Sequence, residues 1–529
     1  MNESNSPSGL PRRELPRRDL LRGAAATALG LSAATGAKQA NAQSRSNLVS
    51  QENAKPGTRD WLLTKTRTVL GKVNVLPSGR STWIEGYCSA NSVRAGETLQ
   101  VMVSTNPVSA FKLEIFRTGY YNGDGARLVR TYESLPGVVQ PEPSIGENYI
   151  RECQWEPSVE FEIPDDWLSG VYLGKLTAEI SGIQSYVIFI VRDDRPCDLL
   201  FQCSELTWTA YNRWPTDYCI YTKHDGRPST TAPSGTVSFD RPYALFTHPV
   251  NKIEKSGGSG EYLPWEFPLA FWLEQHGYDV SYISNIDTHA DPAGLLRTKG
   301  FISVGHDEYW TEDMYDNVMH ARNEGVNLAF LSANAVLCVV PLHPSSSGRP
   351  YRTTRREGWF FPEQSEFGDR GRTESPYEKG FKPTLGRDGA LLMGARTTPP
   401  VRGAGDWTCA LPEHWLFEGT GMKKGDSVKG LIGWEWHGAP MMDLPGMQIV
   451  AEGETRINGK QPGHYTATIY DGPKGNIIFN AATIWWANGL SSPPGHATPV
   501  RHGVTQQGVD ERVQRITHNL FRRIVSQKA

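Results

Sequence analysis

The stretch KGFISVGHDEYWTEDMYDNVMHARNEGVNLAFLSANA, Lys299 to Ala335, predicts a strand, a helix and a second strand in succession. Its first apolar run, Phe301 to Val304, has the length of a buried strand. Thr311 then begins a helical pattern with acidic residues in the first turn, where the helix dipole favours them, and Gly325 ends it. A second apolar run, Val326 to Leu331, completes the unit. Strands that alternate with helices in this way indicate a parallel sheet.

Polar side chains follow both strands of this unit. Gly305-His306-Asp307-Glu308-Tyr309-Trp310 comes after the first strand, and Ser332 and Asn334 end the second. In open α/β sheets, ligands bind at the carboxyl ends of the strands. Helix capping alone would explain Asp307 and Glu308. A histidine and two carboxylates beside two aromatic residues form a denser cluster than a cap requires, so a binding site is the second interpretation.

Composition limits the classes of function. With 529 residues the chain is too long for one compact core, and two or three domains are expected. The 54 Lys and Arg residues nearly balance the 57 Asp and Glu residues, which argues against a nucleic-acid partner. The seven cysteines include no C-x-x-C pair, so a zinc knuckle or an iron–sulfur site is not expected. Cys88 and Cys153 could form a disulfide if they share a domain.

The N-terminus predicts an export signal. Pro16 to Arg22 carries a twin-arginine pattern, Gly23 to Thr35 is a mildly apolar segment, and Ala40-Asn41-Ala42 offers a cleavage site. The apolar segment is too short for a permanent membrane anchor. A disordered tail with chance arginine pairs is the alternative. We assign residues 1–42 to a twin-arginine signal peptide and residues 43–57 to a flexible leader, and expect a periplasmic or secreted mature protein without a membrane anchor.

Residues 58–195 are predicted to form an all-β domain. Thr98 to Val103, Phe111 to Phe116 and Ser185 to Ile190 alternate with the period of two that is typical of strands. Asn122 to Gly125 has the chemistry of a turn. Helical periodicity is nearly absent, so we expect a β-sandwich of the immunoglobulin-like kind with a supporting role.

Residues 196–529 mix strand and helix patterns and are predicted to form an α/β domain. They contain no P-loop, GxGxxG or G-x-S-x-G motif that would supply a function. The predicted elements outside the central unit are the strands Asp198–Gln202, Tyr278–Ile283 and Val428–Gly433, the aromatic loop Thr207–Trp214, the helix Glu266–His276, the hairpin of Tyr465–Tyr470 with Asn476–Asn480, and the closing helix Val509–Ile524.

Six segments occur in a fixed order: RTGYYNGDGARLV (Arg117 to Val129), AYNRW, SFDRPY, EFPLAFWLEQHGYDVSYISNIDTH, VGHDEYW and NLAFLSAN. Together they resemble the large subunit of N,N-dimethylformamidase and its relatives, from about Arg117 to the C-terminal helix. The resemblance implies a β-sandwich-like region before an α/β domain with a parallel sheet, similar to class I glutamine amidotransferases. It also implies hydrolysis of a small amide at a mononuclear iron held by two tyrosines and a glutamate.

The resemblance implies metal ligands in this chain. Glu308 of GHDEYW is similar to the carboxylate ligand. Tyr211 of AYN and Tyr243 of RPY are our assignments for the two phenolates, with Tyr221 as the main competitor. Phenolate and carboxylate are hard anionic ligands that match Fe³⁺. Taken alone, each tyrosine is more simply an aromatic residue that lines a loop.

The resemblance also implies catalytic residues. His306 and Asn334 are similar to the groups beside the metal, and Glu435 of GWEWHG is similar to a further acid/base residue. His306, two residues from Glu308, could take a proton from water or donate one to the leaving amine. A histidine that is only hydrogen-bonded at a strand end is the alternative.

The sequence thus predicts an exported metal-dependent hydrolase that cleaves the C–N bond of a small-molecule amide at a mononuclear Fe³⁺ ion. One alternative is a non-catalytic carbohydrate- or cell-wall-binding protein that uses its aromatic loops. Another is a glycoside hydrolase in which Glu308 and Glu435 form the acid/base pair. The small subunit that accompanies the known amidase is absent from this chain, and a homo-oligomer is compatible with the sequence.

Overall fold

The computed structural model describes residues 48–66, 80–216, 218–222, 235–244, 256–360, 386–398, 400–439 and 442–527. The predicted signal peptide and the first residues of the predicted leader lie outside these ranges. Within them, no helix has both the length and the apolar character that crossing a membrane requires.

The described part of the predicted leader contains a helix. Helix α1 spans Leu48–Asn53 and buries polar as well as apolar side chains. The Asn53 side chain donates a hydrogen bond to Glu274 (2.8 Å) and accepts one from the backbone N–H of Tyr121 (2.9 Å). The prediction of a flexible leader over residues 43–57 is wrong in this segment, because its polar residues have buried partners in the folded chain instead of solvent.

The β-rich region contains two sheets with one shared core. Its strands are β1 (Glu85–Cys88), β2 (Ser92–Val93), β3 (Thr98–Ser104), β4 (Phe111–Thr118), β5 (Ala126–Leu135), β6 (Val159–Glu162), β7 (Gly170–Ala178) and β8 (Gln184–Val191). One sheet has the order β1-β3-β6, and the other has the order β2-β8-β7-β4-β5. Val103 of the first sheet and Ile115 and Phe189 of the second lie in the same apolar cluster. The three strands predicted from period-two alternation are confirmed.

The cysteines form no disulfide; all seven lie among the described residues as buried free thiols. Cys88 lies on β1 and belongs to the core shared by the two sheets. Cys153 packs in a separate cluster with Tyr87, the neighbour of Cys88 on the same strand. Because successive side chains of a strand point to opposite faces, Cys88 and Cys153 lie on different sides of β1.

The second region is built on a seven-stranded mixed sheet. Its strands are β9 (Cys197–Cys203), β10 (Val280–Ser284), β11 (Thr298–His306), β12 (Asn327–Ala333), β13 (Gln448–Ile457), β14 (Lys460–Asp471) and β15 (Ile477–Asn480). The order across the sheet is β10-β9-β11-β12-β15-β14-β13. The first five strands in this order are parallel, and β14 and β13 are antiparallel. The predicted α/β architecture and the predicted C-terminal hairpin are confirmed.

Helices connect and flank these strands. They are α2 (Glu205–Tyr211), α3 (Phe267–Gln275), α4 (Asn285–Ala290), α5 (Glu312–Asn323), α6 (Gly389–Met393) and α7 (Glu511–Ser526). The predicted helices at α3, α5 and α7 are confirmed. The loop predicted over Thr207–Trp214 is wrong in its first half, where α2 runs. All seven residues of α2 are buried, so the sequence offers no polar face from which helical periodicity could be detected.

Shorter strands complete the region. They are Val237–Ser238, Tyr309–Trp310, Cys338–Val339, Leu342–His343, Thr353–Thr354, Gly358–Trp359, Gly405–Thr408, Ser427–Ile432, Val500–Arg501 and Val504–Thr505.

The central strand–helix–strand unit has the predicted form. Thr311 caps α5, and its hydroxyl accepts a hydrogen bond from the backbone N–H of Met314 (3.0 Å). Gly305, just before the end of β11, has φ +64°. A Cβ atom at this position would lie 2.8 Å from Cβ of Trp265, so glycine is required both for its conformation and for its packing.

Candidate active site

The carboxyl ends of three adjacent parallel strands bring four of the predicted site residues together. His306 is the last residue of β11, and Glu308 follows two positions later. Asn334 comes directly after β12 and has φ +50°, a conformation that asparagine tolerates. Tyr211 ends α2, the helix that follows β9. The sheet order places these three strand ends side by side.

Asp307 connects β9, β11 and α4 through the hydrogen bonds that its carboxylate accepts. One of its carboxylate oxygens accepts hydrogen bonds from Gln202 (2.7 Å) and Ser303 (2.8 Å), and the other accepts one from Asn285 (3.2 Å). Burial raises the pKa of Asp307 to about 6, although these hydrogen bonds act to lower it. Asp307 therefore holds neighbouring elements in register, and the cap of α5 is Thr311.

Tyrosine and carboxylate oxygens converge beside Asp307. The Tyr211 hydroxyl donates a hydrogen bond of 2.6 Å to Oε2 of Glu308. The Tyr221 hydroxyl lies 3.3 Å from the Tyr211 hydroxyl and is also hydrogen-bonded to the Tyr309 hydroxyl. Glu308 is only 3% exposed. Three phenols and one carboxylate thus meet in a largely buried space.

A histidine links this group to a second carboxylate. Nε2 of His306 lies 3.2 Å from Glu308 and 3.0 Å from Oε2 of Glu435. The Asn334 amide donates to the same Glu435 oxygen (3.1 Å), and its own carbonyl oxygen accepts a hydrogen bond from Thr397 (2.8 Å). Burial acts to lower the pKa of His306, but the hydrogen bonds with Glu308 and Glu435 outweigh it and raise that pKa well above its usual value.

The phenols are held in their neutral form by this environment. Burial raises the pKa of Tyr211, Tyr221 and Tyr309 well above the usual value, and the nearby charge of Glu308 raises it further. A bound cation would reverse this effect, because it would stabilise the phenolates and the carboxylate together.

The donor set fits a hard, highly charged cation. Tyr211, Tyr221 and Glu308 offer only oxygen atoms, and all of them become anionic when they bind a metal. Among the described residues, including those of this site, no group of three or more His, Cys, Asp or Glu side chains is arranged to hold a metal ion. A metal centre at this position would therefore depend on its tyrosines.

Tyr243 is the predicted ligand that the structure does not bring into the cluster. Its ring packs against Trp208, with the ring centroids 6.4 Å apart, and it lines a cavity of about 20 Å³ with Tyr87 and Phe239. Tyr221, the competitor named from the sequence, lies beside Tyr211 instead. The choice between the two tyrosines depends on the path of the chain between Tyr211 and Tyr243, which local sequence patterns do not reveal.

Comparison with known proteins identifies the family. The model for the C-terminal region of N,N-dimethylformamidase beta subunit-like proteins matches residues 112–500. The chain belongs to this family. The N,N-dimethylformamidase beta subunit of Alcaligenes sp is 22% identical over 338 residues, covering 54% of this chain and 42% of the relative. That of Paracoccus aminophilus is 22% identical over 291 residues, covering 49% of this chain and 36% of the relative.

The match to these N,N-dimethylformamidase subunits is partial, because the aligned part spans less than half the length of either curated relative. Among solved structures, a superoxide reductase (neelaredoxin) from Ignicoccus hospitalis is 18% identical and covers 21% of this chain and 82% of its own. Its TM-score of 0.14 is too low to bear on the fold.

This member of the N,N-dimethylformamidase beta subunit-like family has site residues that sequence reasoning missed. Tyr309 directly follows Glu308 in the motif, so its proximity could have been anticipated. The Cys338 thiol lies 3.7 Å from Oε1 of Glu308. The Arg356 guanidinium lies over the Tyr221 ring, 4.8 Å from its centroid. No motif marks Cys338 or Arg356, because both reach the site from separate short strands and loops.

Proposed function

We propose that this protein hydrolyses the C–N bond of a small amide at a mononuclear Fe³⁺ ion held by Tyr211, Tyr221 and Glu308. The observation that carries the proposal is the 2.6 Å contact between the Tyr211 hydroxyl and the Glu308 carboxylate, with the Tyr221 hydroxyl 3.3 Å from that of Tyr211. Membership in the family and two relatives named as N,N-dimethylformamidase beta subunits support an amide as the substrate.

The chain's own residues provide the proton transfers. When bound, the ion would polarise the amide carbonyl and lower the pKa of a water molecule. Glu435 is placed to accept a proton from the attacking water, whose oxygen forms the new bond to the acyl carbon. Nε2 of His306 is placed to donate a proton to the amine nitrogen as the C–N bond breaks. Asn334 fixes the Glu435 carboxylate through its 3.1 Å hydrogen bond.

The two alternative functions have less support from this geometry. Both carboxylates of the proposed glycosidase pair, Glu308 and Glu435, contact the same nitrogen of His306, so they do not face each other across an open sugar site. A carbohydrate-binding role would use exposed aromatic residues, whereas Tyr211 and Tyr309 are buried.

We also propose specific folds for the two regions, export of the protein and a partner subunit. The two sheets with a common core support an immunoglobulin-like sandwich, and the five parallel strands support an amidotransferase-like domain. The twin-arginine pattern supports export to the periplasm or the medium. The relatives' designation as beta subunits supports a further subunit in the active assembly.

Metal analysis combined with an amide screen tests the proposed function. We expect one iron ion per purified chain and hydrolysis of at least one compound among formamide, N,N-dimethylformamide, acetamide and N-formylglycine. Glu308→Gln should lose both properties, while Glu413→Gln, a matched change at an exposed glutamate, should keep both. Hydrolysis that persists after complete metal removal would contradict the iron centre. An iron-replete protein that cleaves no small amide would contradict the hydrolase.

A further inference from the structure

An arginine stands at the outer edge of the active-site cluster. The backbones of Arg402 and Glu435 pair in an isolated antiparallel bridge, which keeps the two side chains together. Nε of Arg402 lies 3.8 Å from Oε1 of Glu435. The Arg402 side chain is 51% exposed, whereas that of Glu435 is 6% exposed. Arg402 is therefore where this cluster meets solvent.

The Arg402 guanidinium has unused hydrogen-bonding capacity. A guanidinium carries five N–H donors, and the 3.8 Å contact with Glu435 is too long for a hydrogen bond. Arg402 makes no side-chain hydrogen bond and no other ion pair among the described residues. By contrast, Arg396 pairs with Asp388 at 3.0 Å, and Arg117 pairs with Glu274 at 2.9 Å. An arginine that served only to neutralise Glu435 would be expected to make a similarly close contact.

The two oxygens of Glu435 have different surroundings. Oε2 contacts the His306 imidazole at 3.0 Å and the Asn334 amide at 3.1 Å, so it faces the reacting groups. Oε1 faces Arg402. A single carboxylate group thus separates the guanidinium from the imidazole. A molecule that reaches His306 while touching Arg402 must be short.

We propose that Arg402 binds a carboxylate of the substrate, and that the substrates are short acidic amides in which a few bonds separate the carboxylate from the scissile C–N bond. This inference rests on the proposed amide hydrolysis and specifies its substrate class. Carboxylate and guanidinium form paired, charge-assisted hydrogen bonds, which are stronger than those between neutral groups. A neutral amide would leave the Arg402 donors to water and gain nothing from them.

A matched substrate pair tests the inference by kinetics. N-formylglycine and N-propylformamide differ in that a carboxylate replaces an ethyl group. We expect the native enzyme to favour N-formylglycine in kcat/KM, and Arg402→Gln to lower the ratio of the two kcat/KM values by about tenfold or more, mainly through KM. The ratio for Arg402→Lys should lie between those of the native enzyme and Arg402→Gln, because lysine keeps the positive charge but lacks the planar guanidinium. Equal kcat/KM for the two compounds in the native enzyme, or an unchanged ratio in Arg402→Gln, would overturn the inference.

The control is Arg456→Gln. Arg456 is 47% exposed and pairs with Glu454, and its backbone pairs with Ala404, two residues from Arg402. This variant removes an exposed arginine from the same part of the fold and should keep the native ratio. A ratio that falls equally in both variants would overturn the assignment to Arg402.

Binding of succinate, followed by calorimetry, separates this inference from the proposed function. The native protein should bind succinate at least about tenfold more tightly than Arg402→Gln, with Arg456→Gln similar to native. If the enzyme hydrolyses both amides equally and binds no succinate, the hydrolase stands and the Arg402 inference fails. If it hydrolyses neither amide but binds succinate in a manner that requires Arg402, the hydrolase fails and the carboxylate site stands.

Discussion

Arg117 and Glu274 form a buried, two-pronged ion pair between the β-rich region and the α/β region. Nη2 of Arg117 lies 2.9 Å from Oε1 of Glu274, and Nη1 lies 2.9 Å from Oε2. Arg117 is on β4 and Glu274 is on α3, and neither side chain is more than 1% exposed. Tyr282 and Asn53 donate the remaining hydrogen bonds to the carboxylate (2.9 and 2.8 Å). The pair therefore fixes how the two regions pack.

Breaking this pair from one side should destabilise the protein strongly. Glu274→Gln leaves the buried Arg117 guanidinium without the carboxylate that it hydrogen-bonds, which costs about 3–5 kcal/mol of the free energy of unfolding. The double variant Arg117→Met with Glu274→Gln removes that guanidinium and should recover part of the loss. Denaturant unfolding gives the free energy of unfolding of the native protein, of Glu274→Gln and of the double variant. Glu324→Gln, which breaks the exposed pair with Lys474, should leave the free energy of unfolding nearly unchanged, because solvent screens that pair. A loss equally small for Glu274→Gln would contradict the buried pair.

The part of the site that the sequence could predict consists of residues at the carboxyl ends of strands. His306, Glu308 and Asn334 follow adjacent parallel strands, and the general behaviour of α/β sheets brings such positions together. Tyr211 could be assigned by motif, but its helix α2 was missed because all of its faces are buried. The second tyrosine was misplaced for a different reason. Tyr221 and Tyr243 lie on one long connection, and only tertiary packing decides which of them faces Glu308.

Tertiary packing also places two arginines that the sequence could not assign to the site. Arg402 and Arg356 lie outside every quoted motif, and each reaches the site through pairing that is remote in sequence. Arg402 is positioned by the backbone of Glu435, and Arg356 by the ring of Tyr221. Local periodicity carries no information on such contacts. In the β-rich region, by contrast, three of the eight strands, β3, β4 and β8, could be predicted because their residues alternate with a period of two.

The assignment of the second phenolate can be checked by the colour of the iron-loaded protein. Phenolate bound to Fe³⁺ produces a visible ligand-to-metal charge-transfer band. We expect Tyr211→Phe and Tyr221→Phe each to weaken or shift this band, because the phenylalanine keeps the ring but removes the oxygen. Tyr243→Phe should leave the spectrum unchanged and serves as the matched control. A band that responds to Tyr243→Phe but not to Tyr221→Phe would assign the second phenolate to Tyr243.

His437 should make the fold sensitive to acid. It is fully buried, and its Nε2 accepts a hydrogen bond from the Ala335 backbone N–H (3.2 Å), so Nδ1 carries the proton and donates to Asn480 (2.8 Å). Burial lowers the pKa of His437 to about 4, although the Asn480 hydrogen bond acts to raise it. Because the pKa is depressed in the folded state, the neutral imidazole stabilises the protein fully above about pH 6.5. This contribution is lost as the pH falls from there towards 4.

The matched measurement for His437 is urea unfolding of the native protein and of His437→Gln, whose amide can replace both hydrogen bonds. Between pH 7 and pH 5, the stability of the native protein relative to His437→Gln should fall by about 2 kcal/mol. His343→Gln, the same change at an exposed histidine, serves as the matched control. A difference that is independent of pH would mean that His437 titrates normally in the folded chain.

Export can be tested at the twin-arginine pattern. We expect the mature protein to begin near Gln43 and the variant Arg17→Lys with Arg18→Lys to accumulate in the cytoplasm, because this route requires both arginines. Cell fractionation and N-terminal sequencing provide the measurements. Arg12→Lys with Arg13→Lys changes the neighbouring arginine pair and should leave export intact. Normal export of the Arg17/Arg18 variant would rule out the twin-arginine route.

The proton-transfer role of His306 predicts a loss of turnover without a loss of metal. His306→Gln removes the group that donates to the leaving amine, and kcat should fall by about 10²–10⁴-fold. The phenol and carboxylate oxygens of Tyr211, Tyr221 and Glu308 remain, so iron content and the visible band should be largely retained.

Glu435→Gln should lower kcat in a similar way, since its carboxylate lies 3.0 Å from the same imidazole nitrogen. If the two groups act as one unit, the double variant should be little slower than either single variant, because losses at coupled catalytic residues do not add. Loss of iron from His306→Gln would instead assign the imidazole to metal binding, and full turnover in that variant would reduce it to a hydrogen-bonding residue at the end of β11.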